Sequence, residues 1–73
     1  MEQIYNQLYE RCQEIAGKEN KMIPVGTRSE MTKSEITYNV KQLINFAEEN
    51  LKSSTEVEQF LSDCNALLTQ QMD

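Results

Sequence analysis

The sequence predicts an all-α fold, a small three-helix bundle that forms a single domain over residues 1–73. Three stretches of the chain repeat apolar residues at the three- and four-residue spacing of an amphipathic helix. The chain also contains two glycines and one proline in 73 residues, a composition that favours helices over a turn-rich β fold. A chain of this length leaves no room for a second domain.

The first helix is predicted over residues 2–16. Its apolar stripe and the residues that flank the stripe are Ile4, Leu8, Cys12 and Ile15, with Tyr5, Tyr9 and Ala16 beside them. Gly17 follows the last periodic residue, and a glycine adopts the left-handed conformation that ends many helices without a steric penalty. We therefore expect the helix to end at Gly17, with Lys18 near its carbonyl end.

Residues 17–31 have no helical period and are predicted to form a long ordered loop between the first two helices. Pro24 biases Ile23 toward extended geometry, and Gly26 adds a further turn signal. Loops longer than about 12 residues are uncommon in compact domains and often carry function. This loop is therefore a candidate functional segment.

The second helix is predicted over residues 33–51. Thr32 and Glu35 have the spacing of a capping box, and Met31 and Ile36 have that of a hydrophobic staple. One broad apolar face follows, formed by Ile36, Val40, Leu43, Ile44, Phe46, Ala47 and Leu51.

A third helix is predicted over residues 55–70. The segment from Lys52 to Thr55 interrupts the apolar pattern and offers two capping boxes, one from Thr55 to Glu58 and one from Ser53 to Glu56. A short turn of this kind predicts an antiparallel hairpin of helices 2 and 3. The apolar stripe of the third helix is Val57, Phe60, Leu61, Cys64, Leu67, Leu68 and Met72.

The net charge of −5 is unevenly distributed along the chain. The part from Glu48 onward is acidic, whereas the loop and its edges carry the basic residues Lys18, Lys21, Arg28 and Lys33. The third helix has no Lys or Arg, so it cannot meet a phosphate backbone, and we expect no direct nucleic-acid binding. A solvated acidic face is the better interpretation than a nucleic-acid mimic.

The composition also excludes most catalytic chemistry. The chain contains no His, which removes His-based acid–base catalysis, His-activated nucleophiles and His metal sites. Cys12 and Cys64 form no Cys-x-x-Cys pair, and each lies on an apolar stripe where a free thiol packs like a small hydrophobe. We expect no enzyme activity, no cofactor and no metal, and reduced thiols. No signal peptide or membrane span is evident, so we expect a soluble cytoplasmic protein that does not bind membranes.

These exclusions leave a non-enzymatic interaction protein, a regulator or inhibitor that docks on a larger host protein or protein complex. Small helical products of this kind are common among phage and mobile-element genes, and we expect such an origin. The candidate docking residues are the loop residues Met22, Ile23 and Val25 and the tyrosines Tyr5, Tyr9 and Tyr38. In the alternative interpretation, the loop segment folds back as a lid over the core, and this is the more common behaviour of such segments.

A second function class is a homo-oligomeric structural or assembly subunit. The apolar face of the second helix is wider than two neighbouring helices require, and Ile44 and Phe46 make up the excess. Either the loop or a second copy of the chain should cover these two residues. The sequence thus predicts a homodimer slightly ahead of a monomer.

Overall fold

The computed structural model describes residues 2–26 and 30–71 and confirms a compact all-helical protein with three helices. These are α1 (Glu2–Lys18), α2 (Lys33–Asn50) and α3 (Thr55–Gln71), and each packs against the other two. The described ranges contain no strand. Arg28 of the predicted basic rim and Met72 of the third stripe lie outside the described residues.

Helix α1 ends later than predicted. It continues through Gly17 to Lys18, and Asn20 adopts the left-handed conformation with a φ of 58°. The amide of Asn20 donates to the carbonyl of Gly17 at 3.2 Å, and the amide of Lys21 donates to that of Ala16 at 2.9 Å. These two bonds form a Schellman turn. Asn tolerates the left-handed region, and Asn20 provides the left-handed turn that was expected from Gly17. The prediction that the helix ends at Gly17 was wrong.

The start of α2 is as predicted. Thr32 is extended, and its hydroxyl accepts the amide of Glu35 at 3.1 Å. In return, the Glu35 carboxylate accepts the amide of Thr32 at 3.1 Å, which completes the capping box. Met31 and Ile36, the expected staple pair, are both buried in the core.

The start of α3 uses neither of the two predicted capping boxes. Ser54 precedes the first helical residue, and its hydroxyl accepts the amide of Val57 at 3.1 Å. The third helical position is therefore occupied by an apolar residue, which cannot reach back to the cap.

Helix α2 ends at Asn50, one residue earlier than predicted, because the backbone of Leu51 is extended. The amide of Leu51 still donates to the carbonyl of Ala47.

The core contains the predicted apolar stripes, with two changes in position. Tyr5, expected at the flank of α1, is fully buried, whereas Ile4 is 40% exposed. Phe46, expected as part of an apolar excess on α2, is only 7% exposed. Tyr5 and Phe46 lie in one buried cluster to which all three helices contribute. Helical periodicity gives the angle between side chains, but the neighbouring elements decide which part of the helix is buried.

Polar contacts on the surface join α1 to the C-terminal part of the chain. Arg11 forms an ion pair with Asp63, and its guanidinium lies 5.9 Å from the centre of the Phe60 ring. Farther along, Lys18 lies 3.8 Å from Glu56. From the first ion pair to the second, the position on α1 moves forward from Arg11 to Lys18, while the position on α3 moves back from Asp63 to Glu56. These two helices are therefore antiparallel.

Candidate protein-interaction surface

The best candidate site is a small surface depression where the end of α1 meets the segment that follows it. Its volume is about 240 Å³. We call it the Met22 patch, and its lining residues are Tyr9, Gln13, Ala16, Gly17, Lys21, Met22 and Ile23. Three of the residues predicted for docking, Tyr9, Met22 and Ile23, therefore lie together.

The turn at Asn20 brings this segment back onto α1. The bond from the Lys21 amide to the Ala16 carbonyl holds the chain beside the last turn of the helix. The residues that follow alternate in exposure: Met22 and Pro24 are exposed, while Ile23 and Val25 are half-buried against the core. This period of two is that of an extended chain with one face on the core.

Ile23 and Val25 thus occupy the positions that the lid interpretation predicts. Met22 does not, because its side chain is 91% exposed. A single segment therefore contributes both to the core and to the surface. The half-buried pair fixes the backbone, and Met22 projects from it.

A tyrosine fixes the far end of the segment. The Tyr5 hydroxyl donates to the carbonyl of Gly26 at 2.8 Å. Burial raises the pKa of Tyr5 to about 12; the nearby Tyr9 adds to this, and a hydrogen bond with Asn39 opposes it. The rings of Tyr5 and Tyr9 lie 6.4 Å apart. Tyr5 is therefore an internal anchor and not a docking residue, since no part of it reaches the surface.

The remaining predicted docking residues do not join the Met22 patch. Tyr38 is 61% exposed on α2, where it lines a separate depression with Lys33, Ser34, Thr37 and Lys41. Ile44 is half-buried against the core, and Phe46 is buried within it. The chain itself thus covers the Phe46 ring, which the sequence left to the loop or to a second copy.

Four residues of the patch were missed from the sequence. Ala16 was assigned to the flank of the first apolar stripe, and Gln13, Gly17 and Lys21 have no apolar side chain that would have marked them. The available signal was positional: Gly17 and Gln13 are one turn apart on the helix, on the side of Tyr9. Lys21 lies beside them because the chain turns back at Asn20, and the sequence pattern does not predict this turn.

The charged residues near the patch mostly contact the α2–α3 connection and the first turn of α3. Lys18 pairs with Glu56, and both carboxylate oxygens of Glu19 accept the amide of Lys52 at 3.2 Å. Lys21 is exposed beside Met22. Met22 is therefore an exposed apolar side chain at the edge of the depression, with the exposed basic residue Lys21 beside it.

Two further kinds of feature, a metal site and a membrane span, were sought in the part of the chain that the structure describes. There, no three acidic or cysteine side chains gather in a way that could hold a metal ion. In the same residues, no helix combines the length and the apolar character that crossing a membrane requires.

No protein-family model matches the chain, and the comparisons with curated proteins and with solved structures also find no match. The fold defines a class, the small three-helix bundle, which supports many functions. The surface chemistry of this chain is therefore the guide to its function.

Proposed function

We propose that the protein is a non-enzymatic interaction module, a regulator or inhibitor that docks on a larger protein through the Met22 patch. The observation that carries the proposal is the position of Met22. Its side chain is 91% exposed on a segment that is held at both ends.

Exposure alone would be a weak argument, because single apolar residues are common on protein surfaces. Here the exposed side chain stands beside half-buried Tyr9 and Ile23, at the edge of a depression. Methionine adapts its shape to an apolar partner, and tyrosine provides a broad contact surface with a polar tip. These are properties of residues that anchor protein interfaces.

The restraint of the segment adds to the argument. Binding is weakened by the entropy lost when a mobile loop becomes ordered. The Schellman turn, the half-buried residues Ile23 and Val25 and the bond from Tyr5 to Gly26 all restrain the segment before any partner arrives. A preorganised apolar projection loses less entropy on binding than a free loop.

The same proposal includes the finer expectations about architecture and location. The long connection between α1 and α2 acts as an ordered docking loop, and the connection of residues 51–54 suits an antiparallel α2–α3 hairpin. Free thiols at Cys12 and Cys64 suit the reducing cytoplasm. A phage or mobile-element origin would make the partner a host protein or protein complex.

The test is affinity capture from the native host with the wild type, Met22→Glu and Asn45→Glu. Both variants add one negative charge at an exposed position, but Asn45 lies on α2 and lines no part of the patch. We expect one stoichiometric partner with the wild type and with Asn45→Glu, and at least a roughly tenfold loss with Met22→Glu. Equal capture by both variants would contradict the proposal.

The competing function is a homo-oligomeric assembly subunit. Ile44 and Tyr38 support it, because they leave apolar surface on α2. A mass that rises with protein concentration, with no other protein present, would favour this function over the first.

A further inference from the structure

The two cysteines have no part in the proposed docking surface. Cys12 lies on α1 and Cys64 on α3, and both are fully buried free thiols. They belong to the same core cluster. Because they come from the first and the last helix, any bond between them would join distant parts of the chain.

The register of the two antiparallel helices places these cysteines at nearly the same level, offset by about 3 Å along the helix axes. Arg11 and Asp63 are in contact across the α1–α3 boundary, and Cys12 and Cys64 are the residues that directly follow them. One residue further along each helix turns the side chain by about 100°. Since Arg11 and Asp63 lie at the rim and both cysteines are buried, this rotation carries both thiols inward from the same point of contact.

The other contacts along this boundary agree with that register. Lys18 pairs with Glu56, and Ile4 lines a groove together with Gln70 at the opposite end of the two helices. The cysteines thus lie near the middle of a continuous antiparallel contact. Helix axes pack about 8–10 Å apart, a distance at which inward-facing side chains of two helices meet.

The electrostatics of the thiols are consistent with this proximity. Burial raises the pKa of Cys64 to about 12, and the next largest contribution comes from Cys12. Burial also raises the pKa of Cys12 to about 11. Both thiols are therefore protonated at neutral pH and react slowly while the bundle is closed.

We infer that Cys12 and Cys64 form a latent disulfide pair, so that an oxidising pool of low-molecular-weight disulfides links α1 to α3 within one chain. When the bundle opens locally, one thiol loses its proton, and the thiolate attacks a small disulfide RSSR. This attack forms a mixed disulfide and releases RS⁻, which takes up a proton. The second cysteine thiolate then displaces the other RS⁻. The protein loses two protons and two electrons, and RSSR takes them up to become two RSH.

The consequence is a bundle whose stability depends on the redox state. The bridge would close a loop of roughly 50 residues, and restricting the unfolded chain over such a loop stabilises the folded state. For a domain of this size, the melting temperature should rise by on the order of 10 °C. The oxidised protein would thus hold its first and last helices together more firmly than the reduced one.

The test uses the reduced full chain at micromolar concentration with glutathione disulfide at pH 8, in mild urea so that the folded protein opens frequently. We expect a monomer lighter by two hydrogen atoms, a peptide that joins Cys12 to Cys64, and a melting temperature about 10 °C higher. Reductant should reverse the mass change and the temperature shift in the same sample.

Cys64→Ala is the matched control, since it keeps Cys12 but has no second thiol to complete the exchange. It should accumulate the mixed disulfide and show no rise in melting temperature. A wild type that accumulates the mixed disulfide or intermolecular dimers, keeps its thiols free, or melts at a lower temperature once bridged would overturn the inference. The reversal by reductant is measured on the wild type alone, so the test stands even if the variant fails to fold.

Discussion

Asn20 and Tyr5 hold the two ends of the segment that carries Met22. Asn20 has a φ of 58° and reverses the chain after α1, and Tyr5 binds the carbonyl of Gly26 from inside the core. Neither role follows from the sequence pattern alone. Asn20 is one of several polar residues after the helix, and Tyr5 looked like a flanking residue of the stripe because periodicity does not show where a loop will pack.

Replacement of Asn20 tests the turn. Asn20→Ala should lower the free energy of unfolding by about 1 kcal/mol, because a residue with a Cβ and no local hydrogen-bonding group is strained in the left-handed region. Asn20→Gly, the matched control, should be neutral or slightly stabilising. Urea denaturation measures both. If the alanine variant were as stable as the glycine variant, Asn20 would not be left-handed in solution.

Alkaline pH tests the buried titratable groups. Burial raises the pKa of Tyr5 to about 12 from 10.0, and those of Cys12 and Cys64 to about 11 and about 12 from 9.0. The native protein therefore keeps protons that the unfolded chain has already released. The free energy of unfolding should be steady below about pH 9 and should fall as the pH rises toward 12.

Tyr5→Phe separates the tyrosine from the thiols in this experiment. At neutral pH the variant should lose about 1 kcal/mol with the hydrogen bond to Gly26. Above pH 10, however, its stability should fall less steeply than that of the wild type, since one of the three groups is gone. Tyr38→Phe, the matched control, removes an exposed hydroxyl and should lose little stability at neutral pH. An identical alkaline slope in Tyr5→Phe would show that Tyr5 does not titrate with a raised pKa.

The helices show which structural features a short sequence can predict. The start of α2 was predicted correctly because a capping box is made by residues three positions apart and needs no distant partner. The end of α1 was predicted two residues too early, and α3 begins at the predicted Thr55 but with Ser54 as its cap, since several polar residues could serve as the cap at each position. At the candidate site, the sequence indicated Met22, Ile23 and Tyr9 by their chemistry, but their meeting depends on how the chain folds back after α1.

Two alanine replacements test the start of α3. Ser54→Ala should lower the free energy of unfolding by about 1 kcal/mol, because it removes the hydroxyl that accepts the Val57 amide. Thr55→Ala, a control at the first helical position, should have a much smaller effect. Thermal denaturation compares them directly. A larger loss for Thr55→Ala would restore the capping box that begins at Thr55.

At the scale of the whole molecule, the structure covers most of the apolar surface that the sequence left to a second copy. Phe46 is buried within the chain, and the half-buried residues Ile23, Val25 and Ile44 pack against the same core. The reason to expect a dimer was an apolar excess at Ile44 and Phe46, and the chain itself buries Phe46 and covers Ile44 in part. Met22 and Tyr38 remain as the well-exposed large apolar residues of the described chain, together with the partly exposed Ile4.

The burial of this apolar surface predicts that the protein is a monomer. The wild type and Ile44→Glu should both remain monomeric by sedimentation at micromolar concentration. Phe46→Glu should lose on the order of 3 kcal/mol of stability, because it places a charge in the core. A wild-type mass that increases with concentration and returns to that of a monomer in Ile44→Glu would support the assembly subunit instead.

The most direct test of the docking proposal is the affinity of the captured partner for three forms of the chain, measured by titration calorimetry. These are the wild type, Met22→Ala and Tyr38→Ala, which truncate two exposed side chains without adding charge. The proposal predicts that Met22→Ala weakens binding at least about tenfold, while Tyr38→Ala stays within about threefold of the wild type. Full affinity in Met22→Ala, with the loss appearing in Tyr38→Ala, would move the interface to α2 and contradict the proposal.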